Sequence, residues 1–397
     1  MKKLAKLDNL RGRALAALAL ILVSGLAAAA ALVTPAPLPA PTGEGAPVSG
    51  EFATAIVVDA ETGDILFARD PHSRHEPASM VKMMTELIVL EHVAAGRISM
   101  EESVEVSAAA SRIGGSQVYL KHGERFTVEE LLMALAIHSA NDAAVALAEH
   151  VTGSVEGFVD LMNIRARELG LRETVFHSVH GLPPGRGQMP DLSSAHDMAQ
   201  LGRVLIQFPE ALRWGGMAEA PFRDGTFTLH NPNSLVGKFR GMDGIKTGYT
   251  ARAGFCLTAS AVRQNKRLIA VAMGCPSSKV RSAEVSRLLT LGFNQFVEVP
   301  LVSREKQPVE GQQRVKGGKT RFVSLAYASP LTVSVRRDLA DAIRLEAQLP
   351  EVVAAPVEAG QEIGRALATL DGRTLGEVSI VAADDVPRGN LFQQIFQ

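Results

Sequence analysis

The 397-residue chain is 46% apolar and 21% charged, with 35 Gly and 20 Pro, an ordinary globular mix that excludes wholesale disorder, a collagen-like chain and a coiled coil. With 41 basic and 42 acidic residues the formal charge is -1, so no basic surplus points to nucleic acid, and 5% aromatics are too few for a base-stacking platform. Two cysteines cannot make a disulfide scaffold, and at about 150 residues per domain the length predicts two domains or three.

Lys2, Lys3, Lys6, Arg11 and Arg13 precede an uncharged stretch that begins at Ala14 and is apolar as far as Val33. A basic segment, an apolar run and small-residue cleavage options around Ala27 to Ala31 read as an export signal. The run also approaches the roughly 20 residues that span a bilayer, so residues 1–33 are a signal peptide or an N-terminal anchor. Both readings export the rest of the chain. Residues 34–50 alternate Pro35, Pro37, Pro39, Pro41 and Pro47 with small residues, the composition of a semi-extended tether, and the folded protein is expected to start near Glu51.

Ala53 to Val58 and Ile65 to Arg69 are β-prone runs around a polar, Gly-containing segment and predict an antiparallel hairpin. From Pro77 the period lengthens, with Val81, Met84, Leu87 and Ile88 on one helical stripe. Thr127 to Ile137 predicts a helix with Thr127 as N-cap and Glu130 completing a capping box. Asp142 to Val151 and Val155 to Leu169 continue the helical middle. Strands return near Gly244, and Gly254 to Val262 with Arg267 to Met273 flank a second hairpin turn. Ser282 to Phe293 predicts a closing helix. Strands, helices, then strands suggest helices packed on an antiparallel sheet whose first and last strands meet. After about Val299, β-prone pieces separated by Gly and Pro predict a small all-β sandwich or barrel over residues 299–397. The fold class is therefore α+β and multi-domain. If the second hairpin turns on Asn265-Lys266, Cys256 and Cys275 face each other; a disulfide and two buried thiols fit the sequence equally.

Three short motifs carry the chemistry. Ser79-Met80-Val81-Lys82 sets a hydroxyl and an amine three apart, on one face of a helix. A serine needs a neighbouring base to act as nucleophile, and a lysine serves only if burial or a nearby cation lowers its pKa. Ser139-Ala140-Asn141 lies between two apolar helices; side chains two apart converge only on a loop, where the hydroxyl can relay a proton and the amide can hold a peptide group. Lys246-Thr247-Gly248 opens a strand, where an ammonium and a hydroxyl can hold a carboxylate and a residue lacking Cβ lets a substrate backbone approach. Alone, each motif reads better as a cap, a solvated lysine or a common turn.

In this order and on these elements, S-x-x-K, S-x-N and K-T-G resemble the signature of penicillin-binding proteins and class A β-lactamases. The text around them is similar to one branch, the low-molecular-mass penicillin-binding proteins of the serine-type D-alanyl-D-alanine carboxypeptidase family. The likeness runs from about Glu51 to Phe296 and includes Glu76 to Thr85, Gly115 to Gly123, His138 to Ala144, His180-Gly181-Leu182, Ser193 to Ala199 and Asp243 to Thr250. Less specifically, Val309 to Pro387 looks like that family's C-terminal β-domain.

The resemblance implies a β-lactamase/transpeptidase-like domain over residues 51–298 and an enzyme that removes the terminal D-alanine of a peptidoglycan pentapeptide. It implies that Ser79 attacks, Lys82 takes its proton, Ser139 passes a proton to the leaving D-alanine and Asn141 holds the substrate amide. Lys246 and Thr247 would bind the free carboxylate beside Gly248, with Arg281 a further basic candidate. The oxyanion would sit between the backbone N–H groups of Ser79 and Tyr249. It further implies no metal or cofactor, inhibition by β-lactam antibiotics, and a place in the periplasm or on the outer face of the cytoplasmic membrane. Tyr249 stands where several relatives have His. Only eight residues follow Gly389, with Leu391, Phe392, Ile395 and Phe396 apolar, enough for weak membrane association at most.

Rival readings are a D,D-endopeptidase, a class A-like β-lactamase, a metal-dependent D-alanyl peptidase and a non-catalytic peptidoglycan-binding envelope protein. The E-x-x-L-N stretch of class A enzymes is missing between Asn141 and Lys246; Glu168-Leu169-Gly170-Leu171 is the nearest approach. His177 and His180 are the one close His pair beside a Gly- and Pro-rich loop, without an HExxH pattern, and read as loop-packing residues. An intact nucleophile and base argue against pure binding.

Overall fold

The computed structural model describes residues 45–390 in two compact units. The leader, most of the Pro-rich segment and the apolar tail after Asn390 lie outside the described residues. The first unit comprises the chain as far as Val262 together with Arg267–Leu289; the second comprises Arg263–Lys266 and the chain from Thr290.

In the first unit a two-residue β1 (Ala46–Pro47) precedes the hairpin β2 (Thr54–Asp59) and β3 (Ile65–Arg69). β1 pairs in parallel with Phe67 and Ala68, so ordered chain begins ahead of Glu51, with proline at a sheet edge where it forfeits no ladder bond. One 3-10 turn, Ala78–Val81, leads into α1 (Lys82–Ala94). The short pair β4 (Ser103–Glu105) and β5 (Arg125–Thr127) then precedes α2 (Val128–His138), α3 (Asn141–Thr152), α4 (Val155–Glu168), α5 (Ala195–Leu205) and α6 (Pro209–Gly215). A hairpin, β6 (Glu219–Phe222) and β7 (Phe227–His230), leads to β8 (Met242–Thr250), β9 (Gly254–Arg263) and β10 (Lys266–Cys275), and α7 (Ser278–Phe293) follows.

The main sheet runs β1-β3-β2-β10-β9-β8, and β2 pairs antiparallel with β10, so the first hairpin and the last strand do meet. β8 is one of its two edge strands. Thr127 caps α2 with the reciprocal Glu130 contacts of a capping box. α1 is apolar well beyond one stripe: every residue from Lys82 to Leu90 is buried, because α2, α3 and α5 all pack around it. That central burial fixes the fate of any ionisable group the helix carries.

Two expectations shift by a few residues. The second hairpin turns at Gln264-Asn265, both at positive φ, one position earlier than Asn265-Lys266. Cys256 and Cys275 are therefore out of register by two, and both are free, buried thiols whose pKa burial raises. α7 begins at Ser278 instead of Ser282 and takes Arg281 into its first turn.

The second unit is all β. β11 (Phe296–Val302), β12 (Pro308–Lys316), β13 (Phe322–Tyr327), β14 (Leu331–Arg336), β15 (Arg344–Gln348), β16 (Val353–Ala354), β17 (Glu362–Leu370) and β18 (Arg373–Ala382) make a sheet ordered β15-β17-β18-β13-β12-β16 and the pair β11-β14. Val302, Leu325, Ile363 and Ile380 meet in a core of its own, as the sandwich expectation requires.

Candidate active site

Ser79 sits in the 3-10 turn just ahead of α1, after Ala78 at φ +48, a left-handed conformation that an alanine adopts only under constraint. The three-residue step carries Lys82 back under it, with Nζ 3.0 Å from Ser79 Oγ. Lys82 Nζ also donates to the His180 carbonyl at 2.7 Å. No part of Lys82 reaches solvent. Burial holds its pKa well below the usual lysine range, the Lys246 charge adds to this, and Asp191 and Asp142 oppose it. Burial thus favours the uncharged amine, the form whose lone pair can take the serine proton. That is a hydroxyl and a candidate base at working distance.

Two glycines let the nucleophile's turn lie where it does. A Cβ on Gly248 would stand 2.4 Å from Pro77 O and 3.2 Å from Ser79 N. One on Gly181, at φ +75, would stand 2.0 Å from Ala78 O. Gly248 is thus missing its side chain for the protein's own 77–79 segment; the sequence alone suggested room for substrate backbone. This approach also sets the N–H groups of Ser79 and Tyr249 on adjoining backbone.

Ser139 ends α2 in the left-handed region, at φ +64, Ala140 is extended, and Asn141 opens α3. The link is a two-residue corner, so the divergence expected of side chains two apart on a helix does not apply. Asn141 Nδ2 donates to Gly114 O at 2.7 Å and its N–H to Ser116 O at 2.8 Å, while its buried Oδ1 has no partner among the described residues. The segment that wraps this corner is pinned by Asp142, whose buried carboxylate accepts the N–H groups of Val118 and Leu120. Sequence reasoning noted Gly115 to Gly123 only as text and missed the wrap.

Lys246, Thr247 and Gly248 lie in the middle of β8, which starts four residues before Lys246 and does not open on it. Lys246 and Thr247 are buried. Burial lowers Lys246 to about 7, with the Glu86 carboxylate pulling it up and Arg281 pushing it down. Glu86, one helical turn after Lys82, is itself raised to about 8 by burial, and its Oε1 has no partner among the described residues. No motif contains Glu86, so sequence reasoning missed it. The Tyr249 side chain is 56% exposed and stacks on Phe255 at 4.1 Å, which leaves its backbone as the part that faces the nucleophile's turn. Arg281 is buried, donates to Pro232 O at 3.2 Å and keeps Nε unpartnered. The Lys246 charge depresses both Lys82 and His138, which precedes Ser139, so all three motifs share one electrostatic environment. His180 serves through its carbonyl, and its Nδ1 accepts the Leu182 N–H, a loop-packing role.

This constellation can run acyl transfer: a hydroxyl beside an amine whose pKa is lowered, a buried lysine for a carboxylate, and a strand at the edge of the sheet. Residues 44–277 match the D-alanyl-D-alanine carboxypeptidase family of peptidases, and residues 296–388 match the C-terminal domain of penicillin-binding protein 5. The chain is 37% identical over 343 residues to the D-alanyl-D-alanine carboxypeptidase DacF of Bacillus subtilis, covering 85% of this chain and 86% of that protein. Penicillin-binding protein 5 from Haemophilus influenzae superposes with a TM-score of 0.62 at 32% identity, covering 86% of this chain and 99% of that one. The ampicillin-bound form of penicillin-binding protein D2 from Listeria monocytogenes superposes at 0.57 and 29% identity, over 62% of this chain and 99% of that one. With catalytic and C-terminal domains both matched, the chain belongs to the low-molecular-mass penicillin-binding proteins, as a serine peptidase of the D-alanyl-D-alanine carboxypeptidase family.

Proposed function

We propose that this D-alanyl-D-alanine carboxypeptidase trims peptidoglycan stem pentapeptides through an acyl-enzyme on Ser79. One observation carries the reading: a fully buried Lys82 with a lowered pKa, 3.0 Å from Ser79 Oγ and aimed by the His180 carbonyl. Lys82 removes the serine proton as Oγ adds to the carbonyl carbon of the penultimate D-alanine. The oxyanion forms between the N–H groups of Ser79 and Tyr249, donors worth roughly 3 kcal/mol each. Ser139 delivers the proton to the amine of the departing D-alanine, whose carboxylate Lys246 and Thr247 hold. Asn141 Oδ1, buried without a donor, takes the substrate N–H. Arg281 adds positive potential behind Lys246. Water then attacks the ester, Ser79 is released, and the peptide leaves one residue shorter. A β-lactam enters the same route and acylates Ser79, as the ampicillin-bound likeness supports.

The enzyme acts outside the cytoplasm, delivered by residues 1–33, which then leave or stay as an anchor; the Pro-rich segment from Thr34 tethers the catalytic domain, whose sheet already takes in Ala46–Pro47, and a separate β-domain begins with β11 at Phe296. The protein and its Ser79→Ala variant are incubated with a fluorescent penicillin, and D-alanine release from a D-Ala-D-Ala pentapeptide is measured in parallel. Label and release are both expected to vanish in the variant. A variant that still labels assigns the nucleophile elsewhere; release from a crosslinked dimer peptide alone makes the enzyme an endopeptidase.

A further inference from the structure

A second cluster of chemistry-bearing side chains lies outside this site. His72 from the loop after β3, Glu173 from the loop after α4 and His196 from the first turn of α5 offer ligand atoms within 4.8 Å of one another. The rings of His72 and His196 stand 4.5 Å apart at 34°, and His72 Nδ1 is 3.5 Å from Glu173 Oε2. Bonds of about 2.1 Å to a tetrahedral ion separate ligand atoms by about 3.4 Å, so that pair already has the required span. His196 Nδ1 faces the buried Asp197 Oδ1 at 3.3 Å, which leaves Nε2 as its ligand atom and supplies the carboxylate partner typical of metal-bound histidines.

The donors are held from behind. Asp197 Oδ2 accepts the Glu173 N–H at 2.8 Å and the Thr174 hydroxyl at 2.7 Å, and the His196 N–H donates to Pro71 O at 2.9 Å. Three segments are therefore fixed at one point before any ion arrives. Two imidazoles, the Glu173 carboxylate and the Asp197 carboxylate behind them are a donor set that suits a dication. Mixed imidazole and carboxylate donors suit zinc and its neighbours better than calcium or magnesium.

We propose that His72, Glu173 and His196 form a divalent transition-metal site of the zinc type, with water completing the coordination. Its position gives it a task. From His72 the chain reaches Ser79 within seven residues, and His75 exchanges backbone hydrogen bonds of 2.7 and 2.9 Å with Ser193. From Glu173 it runs through the Val175–Leu192 bridge to the His180 carbonyl that aims Lys82. An ion here staples the two segments that deliver the nucleophile and the acceptor of its base. It takes no part in the acyl transfer, and the proposal stands apart from the catalytic reading.

The full-length protein, freed of any affinity tag and stripped with chelator, is titrated with ZnCl2 by calorimetry, and Co2+ is added to a second sample for its visible absorption. One zinc per chain, a higher melting temperature with zinc and a four-coordinate cobalt spectrum are expected. His72→Ala and His196→Ala should each weaken zinc binding by at least about tenfold. His72 is exposed, so its variant folds and keeps penicillin labelling. Zinc binding weaker than about 1 mM, or binding that both variants leave unchanged, overturns the proposal.

Discussion

Adding one methyl group at Gly248 tests whether close backbone approach, more than any side chain, positions the nucleophile. The Cβ of Gly248→Ala would lie 2.4 Å from Pro77 O, where ordinary contacts begin at 3.4 Å, so strand and turn must part by about 1 Å. A 1 Å displacement of reacting groups costs about 10²-fold in rate. Overpacking of this kind costs about 1–3 kcal/mol of stability. Timed labelling with a fluorescent penicillin should show acylation slowed by about two orders of magnitude, and D-alanine release should fall in step. The single tryptophan, Trp214, is fully buried in the same unit, and its emission reports whether the variant is folded. Gly181→Ala should be worse, because its Cβ would lie 2.0 Å from Ala78 O and its φ of +75 is strained for alanine. A folded Gly248→Ala protein that acylates within about threefold of wild type would refute the reasoning.

The alkaline limb of kcat/KM is expected near 7 in the free enzyme, where Lys246 loses its proton while Glu86 still holds its own, so Glu86→Gln should leave the limb in place; a limb that moves to lower pH would mean that Glu86 is charged there. In the folded state Glu86 keeps its proton up to about 8 against 4.5 ordinarily, so the stability it contributes is complete below pH 4.5 and is lost as pH rises through 8. Melting curves of the Gln variant should therefore fall less between pH 5 and 8 than those of wild type, and parallel curves count against the assignment. Asp142→Asn replaces a carboxylate that accepts from Val118 and Leu120 with an amide, at a cost of about 2 kcal/mol, or roughly 5 °C in melting temperature. Because Gly114 and Ser116 hold Asn141, kcat/KM for the pentapeptide should fall as well, and an unchanged melting point would discount the wrap.

The sequence carried whatever depends on neighbours a few residues away. The Thr127–Glu130 capping box, the S-x-x-K step and the β-prone runs are local patterns, and each sits where its period or cap put it. The family was legible because three such patterns occur in order. Contacts between distant segments were less so. Gly248 looked like room for a ligand because nothing local reveals that Pro77 lies against it. Glu86 looked like one more charge on a helix until the packing of α1 on all sides buried it. Of the two readings open for Cys256 and Cys275, the buried thiols hold, because the turn lies one residue earlier and a hairpin doubles any such difference across its strands. α5 and α6 went unnoticed in a stretch read mainly for its family text, although Ser194 caps α5 and Pro209 starts α6.

The acceptor that aims Lys82 is main chain, the carbonyl of His180. Every amino acid carries that carbonyl, so no codon change at position 180 abolishes the contact outright. Heritable change can reach it only by rerouting the loop, through Gly181 or through the Asp191 carboxylate that gathers the His177 and Ser178 N–H groups. A lineage under antibiotic selection therefore has few single steps that misalign the base while leaving a foldable enzyme. Side chains that stand exposed, such as Tyr249 on β8, are reached by a single substitution in a way that this carbonyl is not.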